Sequence, residues 1–143
     1  MSQRFQRGDL LLIRFPFTDL SGSKRRPAVI LAQYPPDVVV AFISSVIPAP
    51  LEPSDVLLHP SVSTGLKNSS VLRLHKIATL EEGLITRRLG RLNQPLLAAI
   101  DQALMLALWI DPRPILQLEY QKLAALLQAE GEAALLSTIR ASV

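Results

Sequence analysis

A chain of 143 residues with 49% hydrophobic side chains can bury roughly two-thirds of its unfolded surface, so a single domain needs no cross-link or structural metal to be stable. The sequence has no cysteine, which excludes a disulfide scaffold, thiolate metal sites and a thiol nucleophile. The net charge of +3 is unevenly placed: residues 1–110 hold twelve Lys/Arg against eight Asp/Glu and residues 111–143 three against four, so the basic character that suits a polyanionic partner belongs to the first part.

The first residues, Met1-Ser2-Gln3-Arg4-Phe5, contain no apolar signal core. No stretch reaches the ~18 apolar residues of a membrane span; Leu96 to Ile110 comes nearest and carries Asp101. A soluble cytoplasmic protein with no membrane partner is expected. Arg7-Gly8-Asp9 signals a turn, and Leu10 to Phe15 reads as a buried strand whose ladder bonding Pro16 stops. Phe17 to Ser23 reads as a loop, and Lys24-Arg25-Arg26 as its cationic end before Pro27. Ala28–Ala32 and Val38–Ile43 read as strands joined by the tight Tyr34-Pro35-Pro36-Asp37 connection, an antiparallel hairpin. Three prolines make 46–55 a loop; Val56–Leu58 and Val71–Ile77 read as further strands, with Gly65 in the polar connection between them. Thr79 to Gly90 stays open between a helical turn at Glu81-Glu82 and a loop. Asn93 looks like an N-cap, followed by a helix from Gln94 to about Trp109 with an apolar stripe of Leu96, Leu97, Ile100, Leu104, Ala107 and Leu108. Asp111-Pro112-Arg113-Pro114 ends it. Leu116, Tyr120, Leu123 and Leu127 form a second helical stripe, and Leu135, Ile139 and Val143 a third beyond Gly131. Short strands followed by helices predict a mainly β, α+β fold, a small antiparallel barrel-like sheet backed by helix.

Three groups of side chains invite chemistry. Lys24, Arg25 and Arg26 bring cations to the mouth of a strand, and the planar arginine fork matches two phosphate oxygens at once; the bland alternative is a solvated basic loop. Arg26, beside Pro27 and a rigid strand, is the best placed of the three. Ser44 and Ser45 end the third strand and Ser69-Ser70 precede the fifth, so each pair offers a hydroxyl to a phosphate or ribose, or simply caps backbone groups. Arg73 and His75 lie two apart on a strand. Alternation puts them on one face, apart from Leu72, Leu74 and Lys76, where they would combine phosphate binding with proton transfer near neutrality; the alternative is a solvent-facing polar stripe. His59 precedes Pro60 and reads as surface. With two histidines, no cysteine and no carboxylates at ligand spacing, no metal or other cofactor is expected. No glycine-rich phosphate loop or nucleophile elbow occurs.

Taken in order, Arg7-Gly8-Asp9, Gly22, Arg25-Arg26-Pro27-Ala28-Val29-Ile30-Leu31, Ile43-Ser44-Ser45, Gly65-Leu66, Ser69-Ser70-Val71, Ile77-Ala78-Thr79-Leu80 and Arg88-Leu89-Gly90 resemble the MazF/PemK family of toxin endoribonucleases across residues 7–110. The resemblance implies an SH3-like β-barrel with a C-terminal helix over residues 1–110, a homodimer, and a toxin that an antitoxin partner blocks. It implies metal-independent, sequence-selective cleavage of single-stranded RNA, in which the 2′-hydroxyl attacks the adjacent phosphodiester to leave a 2′,3′-cyclic phosphate. By position, Arg26 matches the family's phosphate-contacting catalytic arginine, Ser44 a catalytic threonine, Arg73 a general acid, and His75 a catalytic aspartate. Lys24, Arg25, Ser45 and Ser70 are then expected to contact RNA. A binding module of the same fold is the alternative, either a CcdB-like gyrase poison or a nuclease-dead regulator. Residues 111–143 lie outside the resemblance and read as a helical extension that either packs on the barrel or a dimer, or covers the basic groove.

Overall fold

The chain forms six strands: β1 (Asp9–Pro16), β2 (Ser23–Tyr34), β3 (Asp37–Ser44), β4 (Asp55–Leu58), β5 (Ser70–Glu81) and β6 (Ile85–Arg91). In the computed structural model, which describes residues 4–16, 23–130 and 139, they form one antiparallel sheet in the order β4-β5-β3-β2-β1-β6. The mainly β fold expected from the sequence is present. The sheet has β4 and β6 as its edges and no pairing between them among the described residues. The chain divides into two compact units, Met1–Trp109 and Ile110–Val143. The expected loop over Phe17–Gly22 and the third helical stripe at Leu135 and Val143 lie outside the described residues.

Residues opposite each other in a ladder share a face, and the two faces bury different clusters. Leu10 pairs with Val29, and both join Leu31, Ala41, Ile43, Leu72 and Leu74 on the face covered by helix α1 (Gln94–Ala107). Leu11 pairs with Ala28 on the other face, where Ile13, Ile30, Val38 and Val40 are also buried. Helix α1 starts as its sequence requires: the Asn93 side chain accepts from the Leu96 amide at 3.0 Å, and Pro95 sits in the first turn. Ile100 and Ala103 are buried, and Leu96, Leu97, Leu104 and Ala107 pack against the same cluster. The helix stops at Ala107, two residues short of expectation, and Trp109 follows at φ 57° in the left-handed region. In the second unit, helix α2 (Arg113–Glu130) carries the Leu116–Leu127 stripe. Just before it, the Asp111 carboxylate is held below its ordinary range by the Arg113 side chain and amide, and the Arg113 guanidinium is correspondingly raised.

Arg7-Gly8-Asp9 fastens the sheet together. Gly8 has φ 90°, and a side chain there would meet Leu97 of α1 at 2.7 Å. Its amide donates to Ile30 and its carbonyl accepts from Leu92. Arg7 donates to the Leu31 carbonyl and pairs with Asp101 on α1. Asp9 is fully buried, bonded to the Gln6 amide and paired with Arg91 at 2.9 Å.

Two segments differ from the sequence reading. The stretch left open between Thr79 and Gly90 is the end of β5, a single 3-10 turn over Glu82–Leu84 and strand β6. Only Ile85 of β6 is buried, so the strand carries no apolar alternation to announce it; pairing with β1 defines it. The cationic stretch Lys24-Arg25-Arg26 belongs to β2 and is not loop: the three pair with Phe15, Arg14 and Ile13 of β1. Its polarity concealed the strand because this end is exposed and paired on one side only. The partnership with β3 begins at Ala28, opposite Phe42.

Candidate functional site

Where β2 and β3 part, a cleft opens. Ser23–Pro27 keep their partners on β1 and have none on β3, while β3 turns away after Ser44 into Ser45 and Val46. The result is an open cavity of about 550 Å³ lined by Lys24, Arg25, Arg26 and Pro27 from β2, Phe42 to Val46 from β3 and its exit, and Ser70, Arg73 and Lys76 from β5. Phe42 packs edge-on against Phe15, 5.2 Å between ring centroids, and gives the cleft a rigid apolar floor. Five cations and three serines line it, with no carboxylate and no imidazole among the lining residues. Such a surface attracts an extended polyanion and can take phosphates along its length.

The cations are not equivalent. Lys24, Arg25 and Arg26 are exposed and have no ion pair among the described residues. Arg73 is committed: its Nε donates to Asp55 Oδ1 at 3.2 Å and its Nη2 to Asp55 Oδ2 at 3.4 Å, with the Asp55 side chain fully buried and that of Arg73 24% exposed. Asp55 and Arg73 are also opposite each other in the β4–β5 ladder.

The serines divide too. The Ser44 hydroxyl accepts from the Val46 amide at 3.1 Å and donates to the Val46 carbonyl at 3.2 Å, so it caps the turn that leaves β3. Ser70 is buried and donates to the Asn68 carbonyl at 3.0 Å. Ser45 is exposed and makes no hydrogen bond among the described residues. Of the three it has the hydroxyl free to meet a ligand.

The structure corrects the expected pairing of Arg73 with His75. The β3–β5 register jumps between Ala41, opposite Ile77, and Phe42, opposite Arg73, leaving Leu74, His75 and Lys76 without partners on β3. This bulge breaks the two-residue alternation on which the shared face depended. Leu74 and Ile77 both pack on the α1 side of the sheet. His75 turns with them to a second cavity of about 430 Å³, lined by Glu52, Pro53, Ser54, Leu106, Ala107 and Trp109. Lys76 goes the other way and joins Arg73 in the cleft. Sequence reasoning therefore missed Lys76, and its signal was tertiary: the bulge is a property of the β3–β5 pairing and leaves no mark in the spacing of residues 70–81. Among the described residues no group of three or more His, Asp or Glu side chains gathers at metal-binding distance.

Comparison with known proteins adds the following. The family profile for the PemK-like, MazF-like toxin of type II toxin-antitoxin system matches residues 6–108. No curated protein matches the sequence. Among solved structures, the MazE-MazF complex (Form-II) from Deinococcus radiodurans is similar with a TM-score of 0.62 at 18% identity, over 77% of this chain and 100% of that one. The Mycobacterium tuberculosis toxin MazF-mt6 gives 0.60 at 21% identity over 72% and 98%. An endoribonuclease in complex with its cognate antitoxin from a mycobacterial species gives 0.59 at 20% identity over 73% and 95%. At these identities the structural likeness speaks for the fold.

Proposed function

Since the chain belongs to the PemK-like, MazF-like toxin family of type II toxin-antitoxin systems, we propose that it is a toxin that cleaves single-stranded RNA in the cleft between β2, β3 and β5. The observation that carries this reading is the cleft's composition: five cations and a free hydroxyl around an apolar floor, with no lining carboxylate to repel a phosphodiester. Single-stranded RNA fits because a flexible backbone can follow an open groove, and because its 2′-hydroxyl is the internal nucleophile that DNA lacks.

In this reading Arg26 and Arg73 clamp the non-bridging oxygens of the scissile phosphate, Arg73 as a fixed fork and Arg26 as an unpaired cation. The 2′-oxygen forms a bond to phosphorus as the bond to the 5′-oxygen breaks, giving a 2′,3′-cyclic phosphate and a 5′-hydroxyl. The proton of the 2′-hydroxyl passes to solvent water, and the departing oxygen takes one from the Lys76 ammonium. Cations held in place stabilise the extra charge of the phosphorane without reorganising. Ser45 donates to the phosphate, while Ser44 and Ser70 hold the cleft's backbone in shape. Lys24 and Arg25 contact neighbouring phosphates. His75, facing the second cavity, has no part in the reaction.

Two partners follow from the same family membership. An antitoxin chain would bind this toxin, as a cognate antitoxin is bound in the mycobacterial endoribonuclease complex; one rich in Asp and Glu would compete with RNA for the cationic cleft, and a second copy of the chain would form a dimer. Residues 1–110 would form the toxin domain and 111–143 an appended helical unit.

The test is incubation of the purified protein with varied single-stranded RNA in EDTA. Cleavage to products ending in 2′,3′-cyclic phosphate, abolished in Arg26→Ala, is expected; intact RNA of every sequence would refute the reading. One observation favours a second reading, a cleft that binds RNA without cutting it: no imidazole or carboxylate lines the cleft to take the 2′-hydroxyl proton. Tight, Arg26-dependent binding with no cleavage at any pH would select it.

A further inference from the structure

Resting on the RNA-cleavage reading, we infer that Asp55 is a positioning residue that fixes the Arg73 guanidinium and ties it to the loop before β4. Three hydrogen bonds converge on this one fully buried carboxylate: Arg73 Nε at 3.2 Å on Oδ1, and on Oδ2 both Arg73 Nη2 at 3.4 Å and the Glu52 amide at 2.8 Å. The Asp55 amide in turn donates to the Glu52 carbonyl at 2.9 Å. A buried charge is tolerated only when paired and fully hydrogen-bonded, so this carboxylate has little freedom to release its partner. The pairing occupies one edge of the guanidinium. What remains for a phosphate is Nη1 and the outer hydrogen of Nη2, aimed from a side chain with three quarters of its surface covered. Arg25 and Arg26 lack such a partner among the described residues and can follow the phosphate, so the cleft combines one fixed arginine with two adaptable ones. Because the same carboxylate closes the Glu52–Asp55 turn, the position of loop 46–55, which forms the cleft's rim at Val46, is registered against Arg73.

The test is a double-mutant cycle of Asp55→Asn and Arg73→Lys on RNA cleavage, with kcat and KM measured separately. Asparagine keeps an oxygen for the Glu52 amide and loses the charged fork; lysine keeps a charge beside Asp55 and loses the second contact. Misplacing a group that meets the transition state costs up to about a hundredfold in rate. Asp55→Asn is therefore expected to lower kcat by at least about tenfold with KM nearly unchanged, and to add less than about twofold in the Arg73→Lys background. An equal loss in both backgrounds would mean that Asp55 acts only through the fold and would overturn the inference, as would a fully active Asp55→Asn. Should Asp55→Asn not fold, Arg73→Lys alone decides: unchanged kcat refutes positioning. A readout without RNA separates failure of this inference from failure of the cleavage reading. In wild-type protein the ¹⁵N signals of the Arg73 Nη groups are expected to be resolved by hindered rotation, and averaged in Asp55→Asn. Averaged signals in wild type overturn positioning whether or not RNA is cut, whereas resolved signals in a protein that cuts no RNA refute the cleavage reading alone.

Discussion

The bulge in β5 makes a prediction that the sequence alone would reverse. If Lys76 lies in the cleft and His75 behind the sheet, removing Lys76 removes one phosphate contact and removing His75 removes none. For single-stranded nucleic acid each contact contributes about 0.7 to the slope of log K against log salt concentration. Five cations line the cleft, so the wild-type slope is bounded at about −3.5. Lys76→Ala should flatten it by about 0.7, which at 0.1 M salt corresponds to about fivefold weaker binding, or about 1 kcal/mol. His75→Ala should leave slope and affinity unchanged. The assay is fluorescence anisotropy with a fully 2′-O-methylated oligoribonucleotide, which cannot be cleaved, at salt concentrations from about 50 to about 200 mM and one fixed pH. A flattened slope in His75→Ala, or an unchanged one in Lys76→Ala, would refute the assignment of these two side chains to opposite faces.

The arginines of the cleft should separate in stability as well. Arg73→Ala leaves Asp55 as an unpaired buried charge and should destabilise the fold by about 3–5 kcal/mol in urea unfolding, whereas exposed Arg26→Ala should stay within about 0.5 kcal/mol of wild type. Gly90→Ala would put a methyl group 2.1 Å from the Ser63 carbonyl oxygen, forcing the 61–65 segment off β6; a loss of about 1–3 kcal/mol is expected, measured by the same unfolding curves. Asp111, with its carboxyl held low by Arg113, should keep its contact through the ordinary carboxylate range as pH falls and lose it only below that range; a carboxyl NMR titration midpoint at or above the ordinary aspartate value would refute the pairing.

Most of the fold was legible because it rests on local rules. Leu10 to Phe15 and Val38 to Ile43 declare strands by their own side chains, and Asn93-Gln94-Pro95 declares a helix start. What escaped depends on partners distant in the chain. Strand β6 exists because β1 supplies its hydrogen bonds; its residues are mostly polar and exposed. Lys24 to Arg26 form a strand for the same reason, paired with β1 while their other edge borders the cleft. The grouping of Arg26, Ser44, Ser45, Ser70 and Arg73 was foreseeable, since each lies in or directly beside a strand that the sequence identifies. The exchange of His75 for Lys76 was not, because three unpaired residues in β5 become visible only against the register of β3.

The distribution of charge sharpens accordingly. Counting cations over residues 1–110 treats twelve Lys and Arg as one population, but the structure sorts them by partner. Arg7 is bound to Leu31 and Asp101, and Arg91 to buried Asp9; both are fastenings between chain segments. Arg73 stands between the classes, pinned by Asp55 yet facing the cleft. Lys24, Arg25, Arg26 and Lys76 line the same cavity and have no ion pair among the described residues. A polyanion therefore meets four adaptable cations arranged around one fixed guanidinium. Net charge alone would spread affinity over the whole surface; the cavity gathers five of these twelve cations at the gap between β2 and β3. That gathering marks a candidate phosphate-binding groove, in which Asp55 holds the one ion-paired arginine in place.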